Sequence, residues 1–173
     1  MPVRQLSPHT SARRKASVVD YSLLSKKRPL KGLTRRLKAA AGRNASGRIT
    51  VRHQGGGEKR LYRVIEFGEE KEGVPGVVEH IEYDPNRSAF LAQVKYRDGD
   101  RRYLLAWEGV SVGQNVMTAG DASPQPGNRL PLDKIPVGQS VYSIEIVPRR
   151  GGRLVRGAGT SAILQDVSGA HAQ

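Results

Sequence analysis

The run from Val77 to Trp107, VVEHIEYDPNRSAFLAQVKYRDGDRRYLLAW, decides the fold. Val77 to Tyr83 alternates, with Val77, Glu79, Ile81 and Tyr83 on one parity and Val78, His80 and Glu82 on the other. That period of two is the signature of a strand. Tyr83-Asp84-Pro85-Asn86-Arg87 then reads as a turn, because Asp, Pro and Asn each fix local backbone geometry. Ser88 to Arg97 is the next strand, with Phe90, Ala92, Val94 and Tyr96 on one face. Asp98-Gly99 supplies a hairpin turn, and Arg102 to Trp107 returns.

Upstream, Leu61 to Phe67 is a further strand candidate, and Ile49-Thr50-Val51 a short β-type run. Strands at this spacing predict an all-β fold. About five of them between residues 49 and 120 suit an OB-type barrel. Aromatic residues make up only 5% of the chain, so the core is expected to rest on Val, Ile and Leu.

The stretch Gly42 to Arg63, GRNASGRITVRHQGGGEKRLYR, leads into that barrel. It carries Arg43, Arg48, Arg52, Lys59, Arg60 and Arg63 against one acid, Glu58, with glycines at 42, 47, 55, 56 and 57. Glycine lacks a Cβ, so such backbone can lie close to a partner's surface. Charge is unevenly placed along the chain. Residues 1–63 carry a net +15 and residues 64–173 a net −2, within a total of +13. A basic arm on a near-neutral body is the footprint of a polyanion binder. Arginine outnumbers lysine in it, and arginine offers a planar fork to phosphates and stacks on bases.

Residues 1–48 show three basic clusters, Arg13-Arg14-Lys15, Lys26-Lys27-Arg28 and Arg35-Arg36-Leu37-Lys38. Leu33 to Ala41 is predicted to form a short helix. The rest of the arm holds too few apolar residues to offset its ordering entropy and is expected to be disordered when free.

Beyond the barrel, AGDASPQPGNRLPLDKIPVGQ (residues 119–139) has four prolines and three glycines and reads as a linker or a pair of wide loops. Val141 to Val147 alternates again, and Thr160 to Val167 is a last strand candidate. Between them lies a second Gly/Arg segment, PRRGGRLVRGAG, from Pro148 to Gly159, with no acid in it. Two or three strands cannot close a barrel alone, so this region is expected to be incomplete.

Several chemistries are excluded. The chain has no cysteine, which removes disulfides, thiolate nucleophiles and Cys-based zinc sites. The four histidines, at 9, 53, 80 and 171, have no ligand-spaced neighbours, and no metal or cofactor is expected. His80 reads as a surface or half-buried strand residue, and His53 as a stacking or phosphate-facing one. Gly157 to Ala162 matches G-x-G-x-x-A, but that fingerprint needs a strand before it, a helix after it and an acid ~20 residues on, a context not expected here. Asn44-Ala45-Ser46 and Asn86-Arg87-Ser88 fit the glycosylation sequon by chance. The acids Glu69, Glu70 and Glu72 read as a solvated loop, and no nucleophile, base and orienting group come together. No run approaches the ~18 apolar residues of a membrane span.

These motifs resemble a known family. Gly42-Arg43-Asn44, Gly47-Arg48-Ile49-Thr50, Arg52-His53 and Gly55-Gly56-Gly57 are similar to the GRN-x-x-GRIT-x-RH-x-GGG signature of the bacterial-type large ribosomal subunit protein two family. The likeness continues through Glu82 to Ala89, Asp98-Gly99, Gly127-Asn128, Leu130-Pro131-Leu132, Ile135 to Gly138, Gly151-Gly152 and Ala158-Gly159-Thr160. Thr10-Ser11, Arg13-Arg14 and Val19 to Ser22 resemble the family's usual start, which leaves little room for an added organellar presequence. Glu58 departs from the basic or His residue that usually follows the triple glycine.

The resemblance implies a non-catalytic protein of the large ribosomal subunit, at the ribosome of a bacterial cytoplasm or an organelle. It would bind large-subunit ribosomal RNA and neighbouring ribosomal proteins, and no membrane. The implied plan is a basic arm (1–48), an OB-type barrel (49–120), a linker (121–134) and the first strands of an SH3-like barrel (135–173). The family's C-terminal third is missing from this reading, which leaves a split protein completed by a second polypeptide, or a truncated one, as expectations. In the arm, Arg13, Arg14, Lys26, Lys27, Arg28, Arg35, Arg36 and Lys38 are the expected RNA contacts. At the junction they are Arg43, Asn44, Arg48, Arg52, His53, Arg60 and Arg63. Arg87 adds one at the central turn, and Arg149, Arg150, Arg153 and Arg156 complete the set in the distal loop. The rival reading is a free-standing OB-type binder of single-stranded nucleic acid, stacking bases on exposed aromatics.

Overall fold

The structure, a computed structural model, describes residues 2–68, 71–169 and 171–173. Glu69 and Glu70 of the acidic loop lie outside these residues. The described chain is all-β, with three short 3-10 turns and no α-helix. Its centre is an antiparallel sheet of four strands, β5 (Gly76–Glu82), β6 (Leu91–Tyr96), β7 (Arg101–Leu105) and β8 (Asn115–Val116), in the order β7-β6-β5-β8. A fifth strand, β4 (Leu61–Arg63), runs on to Ile65, which bridges Tyr103 in parallel at the β7 edge. Five described strands thus fall between residues 49 and 120, four in the curled central sheet and β4 in a two-stranded sheet with Thr34–Arg36, consistent with an OB-type barrel.

Both faces of this sheet are covered. Val78, Ile81, Phe90, Ala92, Val94, Tyr96, Trp107 and Val116 form one core cluster, and Ile65, Ala89, Leu91, Tyr103 and Leu105 form the other. The predicted face Phe90, Ala92, Val94, Tyr96 is buried as a unit. The opposite parity of β6, Leu91 and Gln93, is buried as well. In β5 strict alternation fails, because a bulge shifts the register between Val78 and His80. The extra residue brings Val78 and Ile81 into the same cluster, where a period of two would part them.

The Asp98-Gly99 turn forms as expected, with Gly99 at φ +91° and the Asp100 N–H donating to Asp98 Oδ1 at 3.1 Å. The 83–87 turn is built around Asp84, which is fully buried. Its carboxylate accepts from the Asn86 backbone at 3.0 Å and from Arg87 Nε at 2.6 Å. Glu82 is buried beside it, and its Oε2 accepts from the Tyr103 hydroxyl at 2.8 Å. Desolvation raises the Glu82 pKa above the ordinary carboxylate value, outweighing the opposing pull of Tyr103, Arg63, His80 and Lys27.

Four sequence expectations are corrected. Residues 33–41 form no helix: Lys31–Leu33 is a 3-10 turn and Thr34–Arg36 is a strand, β3, paired antiparallel with β4. That long-range pairing, with Leu33 packed on the second core cluster, outweighs the helical spacing of Leu33 and Leu37. Ile49 to Val51 is not a strand either. Only Ile49 bridges back to Arg43, and both Ile49 and Val51 are exposed. Nor does Val141 to Val147 run as one strand. Ser140–Val141 (β9) pairs with Ala162–Ile163 (β10), Ser143 then turns the backbone to φ +51°, and Ile144 beyond it makes an isolated bridge to Leu154. The last candidate, Thr160 to Val167, is likewise reduced to β10 and to Val167–Ser168 (β11), which pairs with His171–Ala172 (β12).

The arm carries its own pairing, Val3–Gln5 (β1) with Ser17–Val19 (β2), both mostly exposed. It is fastened to the barrel further on. The Ser25 N–H donates to Ile81 O at 2.8 Å and the Leu30 N–H to the Tyr103 hydroxyl at 3.0 Å. The Pro/Gly-rich passage after β8 is also packed down, with Ala119 and Ala122 buried and Thr118 bridged to Arg129. At Gly127 a Cβ would stand 2.5 Å from the Trp107 ring, so this close approach requires glycine.

Candidate nucleic-acid interface

The pairing of β3 with β4 makes residues 37–60 a long loop between two strands of one hairpin. Every residue from Arg43 to Tyr62 is exposed. The first part of this loop is nonetheless shaped. Asn44 Oδ1 accepts from the Arg48 backbone at 2.9 Å and from Ser46 Oγ at 2.8 Å. The Asn44 N–H donates to Arg48 O at 2.9 Å, and the Thr50 N–H to Gly42 O at 2.9 Å. Gly42 sits at φ +70°, and a Cβ there would meet the Val51 carbonyl at 2.1 Å. Glycine is therefore a steric requirement of this turn. The result is a small, tight turn that displays Arg43, Arg48 and Arg52 outward, followed by His53 at φ +60°.

The distal Gly/Arg segment is organised in the same way around Glu145. Its Oε1 accepts from Arg129 at 2.5 Å and from the Gly151 N–H at 3.1 Å, and its Oε2 from the Arg149 N–H at 3.0 Å. Gly152 donates to Phe67 O at 3.1 Å, and a Cβ on it would strike Ser143. Arg149 is turned out, with its side chain 89% exposed. Arg156 lies over the Phe67 ring, 4.9 Å from its centre. This segment is thus seated on the first barrel.

The sequence-predicted residues divide into two groups. Arg13, Arg14, Lys26, Arg28, Arg35, Arg36, Lys38, Arg43, Arg48, Arg52, His53, Arg150 and Arg153 are exposed. Apart from Arg149, whose side chain is turned out, the others also make contacts within the fold, and of these only Arg63 and Arg87 are partly buried. Arg87 pairs with Asp84, and Arg63 stands 3.9 Å from the same carboxylate while donating to Leu61 O. Arg60 donates to Pro85 O at 3.0 Å, Lys27 contacts His80 Nε2 at 2.9 Å, and Asn44 shapes its own loop. Lys15 and Lys59, which belong to the basic stretches but not to the expected contacts, and Lys31 are equally exposed beside the named arginines. Their charge alone was the available signal.

Among the described residues, no group of three or more His, Cys, Asp or Glu side chains could hold a metal ion, and no helix is long and apolar enough to cross a membrane. Residues 30–118 match the family model described as Ribosomal Proteins L2, RNA binding N-terminal domain, which is more than half of the chain. The chain belongs to the ribosomal protein L2 family. Residues 125–173 match the same family's C-terminal domain. Membership makes this a large-subunit ribosomal protein with an RNA-binding domain, from a family whose role is structural. The cationic loop at 43–60 and the β5–β8 sheet lie inside the RNA-binding match, and the Glu145-centred loop lies inside the C-terminal one. Neither match supports a second polypeptide.

Proposed function

We propose that this chain binds large-subunit ribosomal RNA through three cationic surfaces, the arm, the 43–60 loop and the 148–157 loop, and so supports assembly of the subunit and translation. One observation carries the reading: an exposed loop with several arginines and one acid, its first part held in a fixed turn, inside a domain matched as RNA-binding. Arginine and lysine neutralise phosphates and release their counterions, which gives strongly salt-dependent affinity. The glycines let the backbone lie against the RNA, whose shape and 2′-hydroxyls matter more than its sequence.

In this reading Arg43, Arg48, Arg52 and His53 are primary contacts, joined by Arg13, Arg14, Lys26, Arg28, Arg35, Arg36 and Lys38 from the arm. Arg150 and Arg153 extend the surface. Arg60, Arg63, Arg87, Arg149 and Arg156 contribute the donors that the fold leaves free. The division into arm, OB-type barrel, linker and SH3-like segment belongs to the same proposal, as does a bacterial cytoplasmic or organellar ribosome as its location.

Sedimentation of tagged protein with large subunits after a high-salt wash tests it. The protein is expected in the particle fraction. Recovery wholly in the supernatant would favour a free-standing single-strand binder.

A further inference from the structure

We infer that Tyr21 and Tyr83 form a stacking site for one unpaired nucleobase of RNA, with Lys26 at its rim for the adjoining phosphate. The inference rests on the RNA-binding reading above and names a site outside the cationic loops. Both tyrosines are half exposed, at 55% and 51%, although a tyrosine ring normally gains by burial. They meet edge to face, with centroids 5.8 Å apart and planes at 86°. They line an open cavity of about 590 Å³ together with Ser22, Leu24, Ser25 and Lys26.

The two rings come from distant parts of the chain and are held in place. Tyr21 leans on the buried Phe90 ring at 5.9 Å. Its segment is folded by the Ser22 N–H on Asp20 Oδ1 at 2.9 Å and the Leu24 N–H on Tyr21 O at 3.1 Å. The Ser25 N–H on Ile81 O then pins that segment to β5. Tyr83 directly precedes the buried Asp84, so its backbone is fixed by the turn. A preorganised aromatic pair loses little entropy when a third flat ring is added.

The chemistry around the cavity selects the occupant. No acid lines it, and Lys26, Lys27 and Arg28 follow immediately along the chain, all exposed. An unpaired base offers a π-face for the rings and carries a phosphate to the cations, whereas duplex RNA has no free base face to offer.

The test uses the full chain and two probes, a single-stranded oligo(A) RNA carrying 2-aminopurine and a blunt RNA duplex. The double variant Tyr21→Leu/Tyr83→Leu is expected to lose about tenfold in affinity for the single strand. Its duplex affinity should be unchanged, and Tyr21→Phe/Tyr83→Phe should behave as the parent. Equal single-strand affinity in the Leu variant and the parent overturns this site and leaves the RNA-binding reading standing. A parent that binds neither probe overturns both. Ultraviolet crosslinking of oligo(A) to the unmodified protein covers the case of a Leu variant that does not fold. Crosslinks at Tyr21 or Tyr83 support the site, and crosslinks found only elsewhere overturn it.

Discussion

In the central sheet Leu91, Ala92 and Val94 are wholly removed from solvent, whereas no residue from Arg43 to Tyr62 is buried. The sheet holds its shape by covering both faces with apolar clusters. The loop holds its shape with one asparagine acceptor, a few backbone bonds and a glycine at a position with no room for a Cβ. The difference separates stability from binding. Substitutions in the sheet should unfold the protein, while charge substitutions in the loop should weaken binding and leave the fold intact. The 83–87 turn stands between these cases, because its buried Asp84 ties Arg87 to the barrel.

The largest effect is expected at Leu91, which has no exposed surface. Leu91→Ala should cost about 2–5 kcal/mol, from lost transfer energy and the cavity left behind. Urea denaturation measures this, and a loss below ~1 kcal/mol would mean that the two-sided core is wrongly placed.

A smaller, pH-dependent effect is expected at Glu82. Its raised pKa means that the folded state binds more protons than the unfolded state above the ordinary carboxylate value. Wild-type stability should therefore fall as pH rises through and beyond that value, towards the folded pKa. Glu82→Gln removes the cost of the buried charge and keeps an oxygen for the Tyr103 hydroxyl. The variant's advantage in urea midpoint should grow from pH 4 upward, and curves parallel across that range would contradict the assignment.

Smaller again in global stability is Gly42→Ala. Its Cβ cannot coexist with the Val51 carbonyl, so the 42–51 turn must open. RNA affinity should drop while the thermal midpoint moves little, since nothing in that turn packs into either core cluster. Parallel binding and melting assays on one preparation check this.

The β6–β7 hairpin was legible in the sequence because its signals are local: alternation from Ser88 and an Asp-Gly turn. The bulge in β5 was not, since a register shift is set by the partner strand. Residues 33–41 misled for the same reason. Their pairing partners, Leu61–Arg63, lie some 25 residues on, across a glycine-rich loop. The cationic loops were legible as charge beside glycine. Which cations the fold consumes was not, because Arg63 and Arg87 are drawn in by the buried Asp84 and by contacts with Leu61 and Tyr62 that no sequence period shows. The Tyr21–Tyr83 contact joins two segments that no sequence period connects.

The most direct test of the separation between binding and stability is a single variant with Arg43, Arg48, Arg52 and Lys59 each changed to Gln. Arg60 is left intact, since its guanidinium also holds the Pro85 carbonyl. Binding to large-subunit ribosomal RNA is measured across a salt series, with a thermal melt on the same protein. The slope of log affinity against log salt should flatten by ~3, as four phosphate contacts are lost, and the midpoint of the melt should stay within error of the parent. An unchanged slope would remove this loop from the RNA interface.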